Sequence, residues 1–240
     1  MDRLTRRELV LGAGALALGA GAADALAMPA RDPVSATAAR AGGAGPRALR
    51  ELARRVRGPV IRSGSAAYAG AARVYNRRYD GATPDAVVEV RDCRDVQAVL
   101  RWADRHDVRV AARSGGHSYA GYSTLDKGVV VDLRRLRSIA VDRGNGRASI
   151  GAGAHMIEVV DALARHGGAV PGGSCPTVGF GGLALGGGYG LASRAFGLTA
   201  DNVTGLVVSR PTGGCAASTR ATTRTCSGRC AAGAAATSGS

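Results

Sequence analysis

A β-branched run, an amphipathic stretch and a second apolar run follow one another between Ala86 and Ala112, and the last opens onto two adjacent glycines. Ala86-Val87-Val88-Glu89-Val90 is short and rich in β-branched residues, which reads as a strand. From Asp92 to His106, Val96, Val99, Leu100 and Ala103 share one face at helical spacing. Val108-Arg109-Val110-Ala111-Ala112 reads as a second strand and runs into Arg113-Ser114-Gly115-Gly116-His117-Ser118. Strand, helix and strand within ~30 residues predict a βαβ unit, with parallel strands and a crossover helix. In the turn that follows, Gly115 and Gly116 permit positive φ and a close backbone approach to a ligand. Successive N–H groups in such a turn form a concavity that suits a pyrophosphate.

Strands are also predicted at 128–133, 138–141, 147–151 and 203–208, with an amphipathic helix over 156–165. Residues 76–209 are expected to form the folded domain. Residues 28–75, rich in Ala, Gly and Arg, read as an extension and linker with one candidate helix at 46–56. Residues 1–27 read as a twin-arginine export signal. Arg6-Arg7 precedes a weakly apolar Ala/Gly/Leu stretch, and Ala25-Leu26-Ala27 offers a cleavage site. That stretch is too short and too poor in large apolar residues for the ~20-residue span of a membrane anchor. The expected destination is periplasmic or extracellular, without stable membrane association. After Ser209 the composition changes. Residues 210–240 hold no Val, Ile, Leu, Met, Phe, Trp, Tyr, Asp, Glu or Lys. A segment without large apolar side chains does not offset its ordering entropy. It is therefore expected to be a disordered or out-of-frame tail, with the domain lacking its last part.

The formal charge of +14 overstates how basic the domain is. A surplus of six lies in residues 1–62 and four in 210–240, which leaves +4 for residues 63–209. No element concentrates basic residues with aromatics, so no nucleic-acid partner is expected. Cys93 ends a strand-like run and is expected to be buried. Cys226-Ser227-Gly228-Arg229-Cys230 has a zinc-like spacing but neither a nearby His nor a second pair, so no metal is expected. His106 and His166 sit near predicted helix ends, where a His favours the dipole.

Two nucleophilic side chains stand in glycine-rich surroundings: His117, and Cys175 in Pro171-Gly172-Gly173-Ser174-Cys175-Pro176-Thr177-Val178-Gly179. The following run, Gly179-Phe180-Gly181-Gly182-Leu183-Ala184-Leu185-Gly186-Gly187-Gly188-Tyr189-Gly190, departs from the dinucleotide pattern G-x-G-x-x-G, because the third glycine is missing after Gly188 and Gly190. From about Tyr75 to about Val208 the chain resembles the berberine-bridge-enzyme-like oxidases of the vanillyl-alcohol-oxidase, PCMH-type FAD-binding superfamily.

The resemblance implies an α+β fold: a first subdomain containing the βαβ unit and a second mixed α+β subdomain. It implies FAD held bicovalently through His117 and Cys175. Arg113, Ser114, Gly115, Gly116 and Ser118 would form the pyrophosphate loop. Gly179, Gly182, Gly186, Gly187, Tyr189 and Gly190 would form a second flavin-contacting segment. Asp201 and Asn202 match the family pattern too, although a simple helix-to-strand turn explains them equally well. Tyr119 and Tyr122 are read either as neighbours of the flavin or as core. The implied activity is hydride transfer from an alcohol or sugar hemiacetal of a carbohydrate, alkaloid or polyketide, with O₂ as acceptor. The catalytic base is expected outside these 240 residues. Two other readings stay open: a non-catalytic FAD-binding fragment or inactive frameshifted product, and a carbohydrate-binding module. The module would require a row of exposed aromatics, and the single Trp, Trp102, lies in a predicted helix. The oligomeric state is not legible.

Overall fold

The computed structural model describes residues 42–209, together with the backbone of 215–219 and 236–239. The expected export signal, and the tail outside those two stretches, lie outside the described residues. The elements below all lie within one compact unit, residues 40–240.

The first sheet has the strand order β1-β2-β4-β3, built from β1 (Val60–Arg62), β2 (Ala86–Glu89), β3 (Val110–Arg113) and β4 (Val129–Asp132). The predicted βαβ unit is present, with α3 (Cys93–His106) as its helix and β2 and β3 both parallel to β4. The two strands are not neighbours, because β4 lies between them. Every residue of β4 is buried. This is why β2 and β4 read as continuous valine runs: a parallel strand covered on both faces has no solvent side. Val87 and Val130 point to one face, against Ala71 of α2 (Tyr68–Ala72). Val88 and Val131 point to the other, into the main core with Trp102 and Leu52.

Asp92 caps α3 by accepting from the N–H groups of Arg94 and Asp95. Asp95, 2% exposed, in turn accepts from the N–H groups of Arg57, Gly58 and Arg91, which ties the preceding chain to the helix start. Of the expected linker, the described residues from Pro46 to Arg62 therefore belong to the fold. Helix α1 (Pro46–Arg55) buries Leu49 and Leu52, the Trp102 indole donates to the Ala48 carbonyl at 3.1 Å, and β1 pairs antiparallel with β2. Cys93 corrects another expectation. It is exposed, because it occupies the first position of α3 rather than the end of β2.

The second sheet is antiparallel, in the order β5-β6-β9-β7-β8: β5 (Ile139–Asp142), β6 (Arg147–Ile150), β7 (Val203–Ser209), β8 (Cys215–Thr219) and β9 (Ala236–Gly239). Helix α4 (Met156–Ala164) supplies Met156, Val159 and Leu163 to the same core as Ile150, Leu206 and Val208. The expected disorder after 209 does not extend to β8 and β9. Main-chain N–H and C=O groups pair along a strand whatever the side chains are. Among the described residues, no helix is long and apolar enough to cross a membrane.

Candidate functional site

Two glycine-bearing segments meet beyond the end of β3. The first leaves β3 at Arg113. The second runs from Pro171 through α5 (Phe180–Leu185) to α6 (Ser193–Phe196) and the 3-10 turn Thr199–Asn202.

Their backbones are in direct contact. A Cβ on Gly115 would lie 2.3 Å from the Gly179 nitrogen, and one on Gly179 would lie 2.2 Å from the Gly115 nitrogen. Any side chain at either position would force the segments apart. Beside this contact, the Ser114 hydroxyl donates to the Ala152 carbonyl at 2.5 Å, and the Phe180 and Gly181 N–H groups donate to the carbonyls of Ala154 and Ala152. Gly116 has φ +73°, and its carbonyl accepts from the Tyr75 N–H at 3.1 Å. Among the described residues, none accepts from the N–H groups of Gly115, Gly116, His117 or Ser118. The Ser118 hydroxyl accepts from the Tyr122 N–H at 3.1 Å and closes the turn that follows.

His117 and Cys175 are both half-buried. The His117 imidazole lies flat against Tyr75, with ring centroids 3.9 Å apart and planes at 20°. Its Nε2 is 2.9 Å from the Thr177 hydroxyl, sixty residues on and two residues from Cys175. Burial lowers the His117 pKa below the usual histidine range, and the nearby His155 lowers it further. The Cys175–Val178 turn is held by α4, whose first N–H groups, on Met156 and Ile157, donate to the Val178 and Pro176 carbonyls. Those donors would otherwise lack intrahelical partners. His155, at the N-cap of α4, also bridges to Gly179. It adjoins both segments, and nothing in the chain marks it beyond its position before a predicted helix.

Several predicted site residues sit elsewhere than expected. Arg113 is 2% exposed, and all five guanidinium donors are engaged. They reach Asp132 twice, at 2.9 and 2.7 Å, and the carbonyls of Ala71, Ala72 and Arg73. Its side chain anchors the base of the loop and leaves no donor for a ligand. Burial raises the Asp132 pKa, but hydrogen bonds and charge from Arg134 and Arg113 outweigh it, and the carboxyl lies below its usual range.

Asp201 and Asn202 build a turn. Asp201 accepts from the Leu198 N–H at 2.8 Å, and the Asn202 amide donates to the Phe196 and Leu198 carbonyls. Of their two readings, this geometry supports the turn. Gly179 caps α5 and Gly182 lies within it, exposed and with nothing within 4 Å of a built Cβ. Gly186 ends that helix, Gly187 has φ +99°, and Gly190 donates to the Ser193 hydroxyl. Tyr189 is 79% exposed, and Tyr119 and Tyr122, at 91% and 70%, are not core. Sequence reasoning missed Thr199, which is fully buried and donates to the Pro171 carbonyl, joining the two ends of the glycine segment.

A family profile described as "FAD binding domain" matches residues 84–217. The chain is 35% identical over 158 residues to "(R)-6-hydroxynicotine oxidase" of Paenarthrobacter nicotinovorans, covering 66% of this chain and 34% of the relative. It is likewise 35% identical over 158 residues to "Chitooligosaccharide oxidase" of Gibberella zeae, covering 65% and 32%. Among solved structures, BBE-like 1 of Physcomitrella patens superposes with a TM-score of 0.72 at 28% identity, covering 79% of this chain and 43% of that one. The chain spans about a third of the length of the curated relatives it matches. The profile covers more than half of the residues, and the fold agrees with that of the solved relatives. The chain belongs to the berberine-bridge-enzyme-like, PCMH-type family of FAD-linked oxidoreductases.

Proposed function

We propose that this chain is the flavin-holding part of an exported FAD-linked oxidase, with the cofactor attached covalently at His117 and Cys175. The observation that carries the reading is the 2.9 Å contact between His117 and Thr177, which brings the only His of the first segment to the only Cys-bearing turn of the second. The residues present fit the group. The N–H groups of Gly115–Ser118 form a donor cluster suited to a pyrophosphate. His117 is held toward its neutral form, the state in which an imidazole nitrogen is a nucleophile. Cys175 is accessible, and its thiolate is the reactive form. Gly186, Gly187, Tyr189 and Gly190 present backbone and one exposed ring along the second segment.

Bound FAD would supply hydride acceptance at N5 and electron return to O₂. The protein supplies attachment, orientation and a donor set for the diphosphate. A small-molecule alcohol or sugar hemiacetal is the proposed substrate class, and the base that takes its hydroxyl proton is assigned to no residue of this chain. Export by the twin-arginine route is part of the proposal and rests on Arg6-Arg7. Replacing both with Lys is expected to hold the precursor in the cytoplasm.

The test of attachment is acid precipitation of the chain after incubation with FAD. Yellow colour is expected to stay with the wild-type pellet, to survive either His117→Ala or Cys175→Ala, and to vanish in the double variant. Complete release of flavin from the wild type would overturn the proposal. A second reading is FAD binding without turnover by these 240 residues, none of which is assigned as the base. Retained flavin without H₂O₂ release from sugars or alcohols would support that reading.

A further inference from the structure

We infer that Thr177 and Tyr75 form a clamp that fixes the ring plane and the protonated nitrogen of His117, making both positioning residues for flavin attachment; this rests on the proposal that His117 is an attachment point. The geometry has three parts. Tyr75 stacks on the imidazole at 3.9 Å and 20°, which leaves the ring free to slide or turn only within its own plane. The Tyr75 main chain is itself pinned, because its N–H donates to the Gly116 carbonyl at 3.1 Å, one residue before His117. The Thr177 hydroxyl, 2.9 Å from Nε2, then stops rotation within that plane. Stack and hydrogen bond act at right angles and remove different motions.

A hydroxyl both donates and accepts, and the clamp takes Nε2–H as the donor. In neutral imidazole one nitrogen is a donor and the other an acceptor. With Nε2–H donating to Thr177 Oγ1, the lone pair lies on Nδ1. Among the described residues only Nε2 has a partner, so Nδ1 is the nitrogen left for chemistry. Thr177 is set for this role by its surroundings. It lies in the turn that accepts the first N–H groups of α4, and its carbonyl lies 2.7 Å from where a Cβ on Gly115 would stand. The hydroxyl is thus positioned by both segments. The side chain is exposed and absent from the core, so it can be changed without creating a cavity.

The experiment compares Thr177→Val and Thr177→Ser in the full 240-residue chain. The first readout needs no flavin: the exchange-protected imidazole N–H resonance of His117 in ¹H–¹⁵N spectra. It is expected in the wild type and in Thr177→Ser and absent in Thr177→Val. Its persistence in Thr177→Val, or its absence from the wild type, would overturn the clamp. The second readout is histidyl-linked flavin per chain, measured in a Cys175→Ala background after incubation with FAD. A net hydrogen bond of ordinary strength corresponds to a fall of about fivefold in Thr177→Val, with recovery in Thr177→Ser. Equal attachment in all three would also overturn the clamp. Wild-type chain with the protected resonance but no flavin on His117 would leave the ring geometry standing, refute the attachment reading, and with it deny the clamp its role.

Discussion

The first sheet and the glycine segment 171–202 solve the problem of packing in opposite ways. In the first sheet, side chains do the work: Val87 and Val130 fill one face, Val88 and Val131 the other, and none of them is more than 2% exposed. In the glycine segment the backbones pack and, with Phe180, Ala184 and Thr199 as buried exceptions, large side chains point out. Leu191 is 97% exposed, Tyr189 79%, Phe196 68% and Leu185 56%. A region that packs by side chains is closed to ligands. One that packs by backbone leaves N–H groups and apolar side chains available to something else. The chain thus places its potential flavin-contacting groups where its own core is least complete.

This contrast can be broken by substitution. The largest effect is expected at Arg113. Arg113→Met removes five donors and leaves Asp132, wholly buried, with Arg134 as its remaining cation. Breaking a buried pair costs about 3–5 kcal/mol, and the surviving Arg134 bridge places the expected loss at the lower end. Urea denaturation would read it directly. The pair also sets a pH dependence. Because the folded Asp132 pKa is depressed, its contribution to stability is fully present above the ordinary carboxylate pKa of about 3.9. It is lost as pH falls through the lower folded value. The wild type should therefore lose stability more steeply in acid than Arg113→Met does.

Next in size is Gly179→Ala, whose new Cβ would meet the Ser114 Oγ at 2.0 Å and the Gly115 nitrogen at 2.2 Å. Overpacking of this kind costs about 1–3 kcal/mol. Gly182→Ala, inside helix α5 with nothing within 4 Å of the new Cβ, should instead stabilise by about 0.5–1 kcal/mol. If the two behave alike, packing between the two backbones is not what holds the segment.

The sequence made the first region legible and the second only partly so. Strands β2 and β4 and helix α3 carry apolar residues at readable periods, and Asp92 marks the helix start. Helix α5 was hidden because Gly181, Gly182 and Gly186 speak against a helix by propensity, although Phe180 and Ala184 bury one face of it. Strand β1 is three residues long, too short to show a period, and nothing local ties α1 to the domain, because Trp102, the partner of Ala48, lies fifty-four residues on. The nucleophiles His117 and Cys175 stood out through their glycine context. Arg113 did not reveal its role, because nothing local distinguishes an arginine facing a ligand from one whose partners are Asp132 and the end of α2.

The smallest predicted effect concerns His155. His155→Asn removes the second of the two causes that depress the His117 pKa, so an NMR titration should show the His117 midpoint move upward while staying below its usual value, since burial remains. In the wild type, the depressed value means that the fold disfavours the protonated ring. Stability should therefore decline as pH falls below about 6.5, with no further His117 contribution once pH is below the folded pKa. The variant should show a weaker decline.

The central claim is that two segments distant in sequence make one flavin site. Trypsin would cut after Arg113 and Lys127, and after Arg165 and Arg194, releasing residues 114–127 with His117 and residues 166–194 with Cys175. Mass spectrometry of that digest, after incubation of the chain with FAD, tests the claim most directly. The predicted result is a single cross-linked species containing both peptides and one flavin. Two unmodified peptides, each at its own mass, would contradict it.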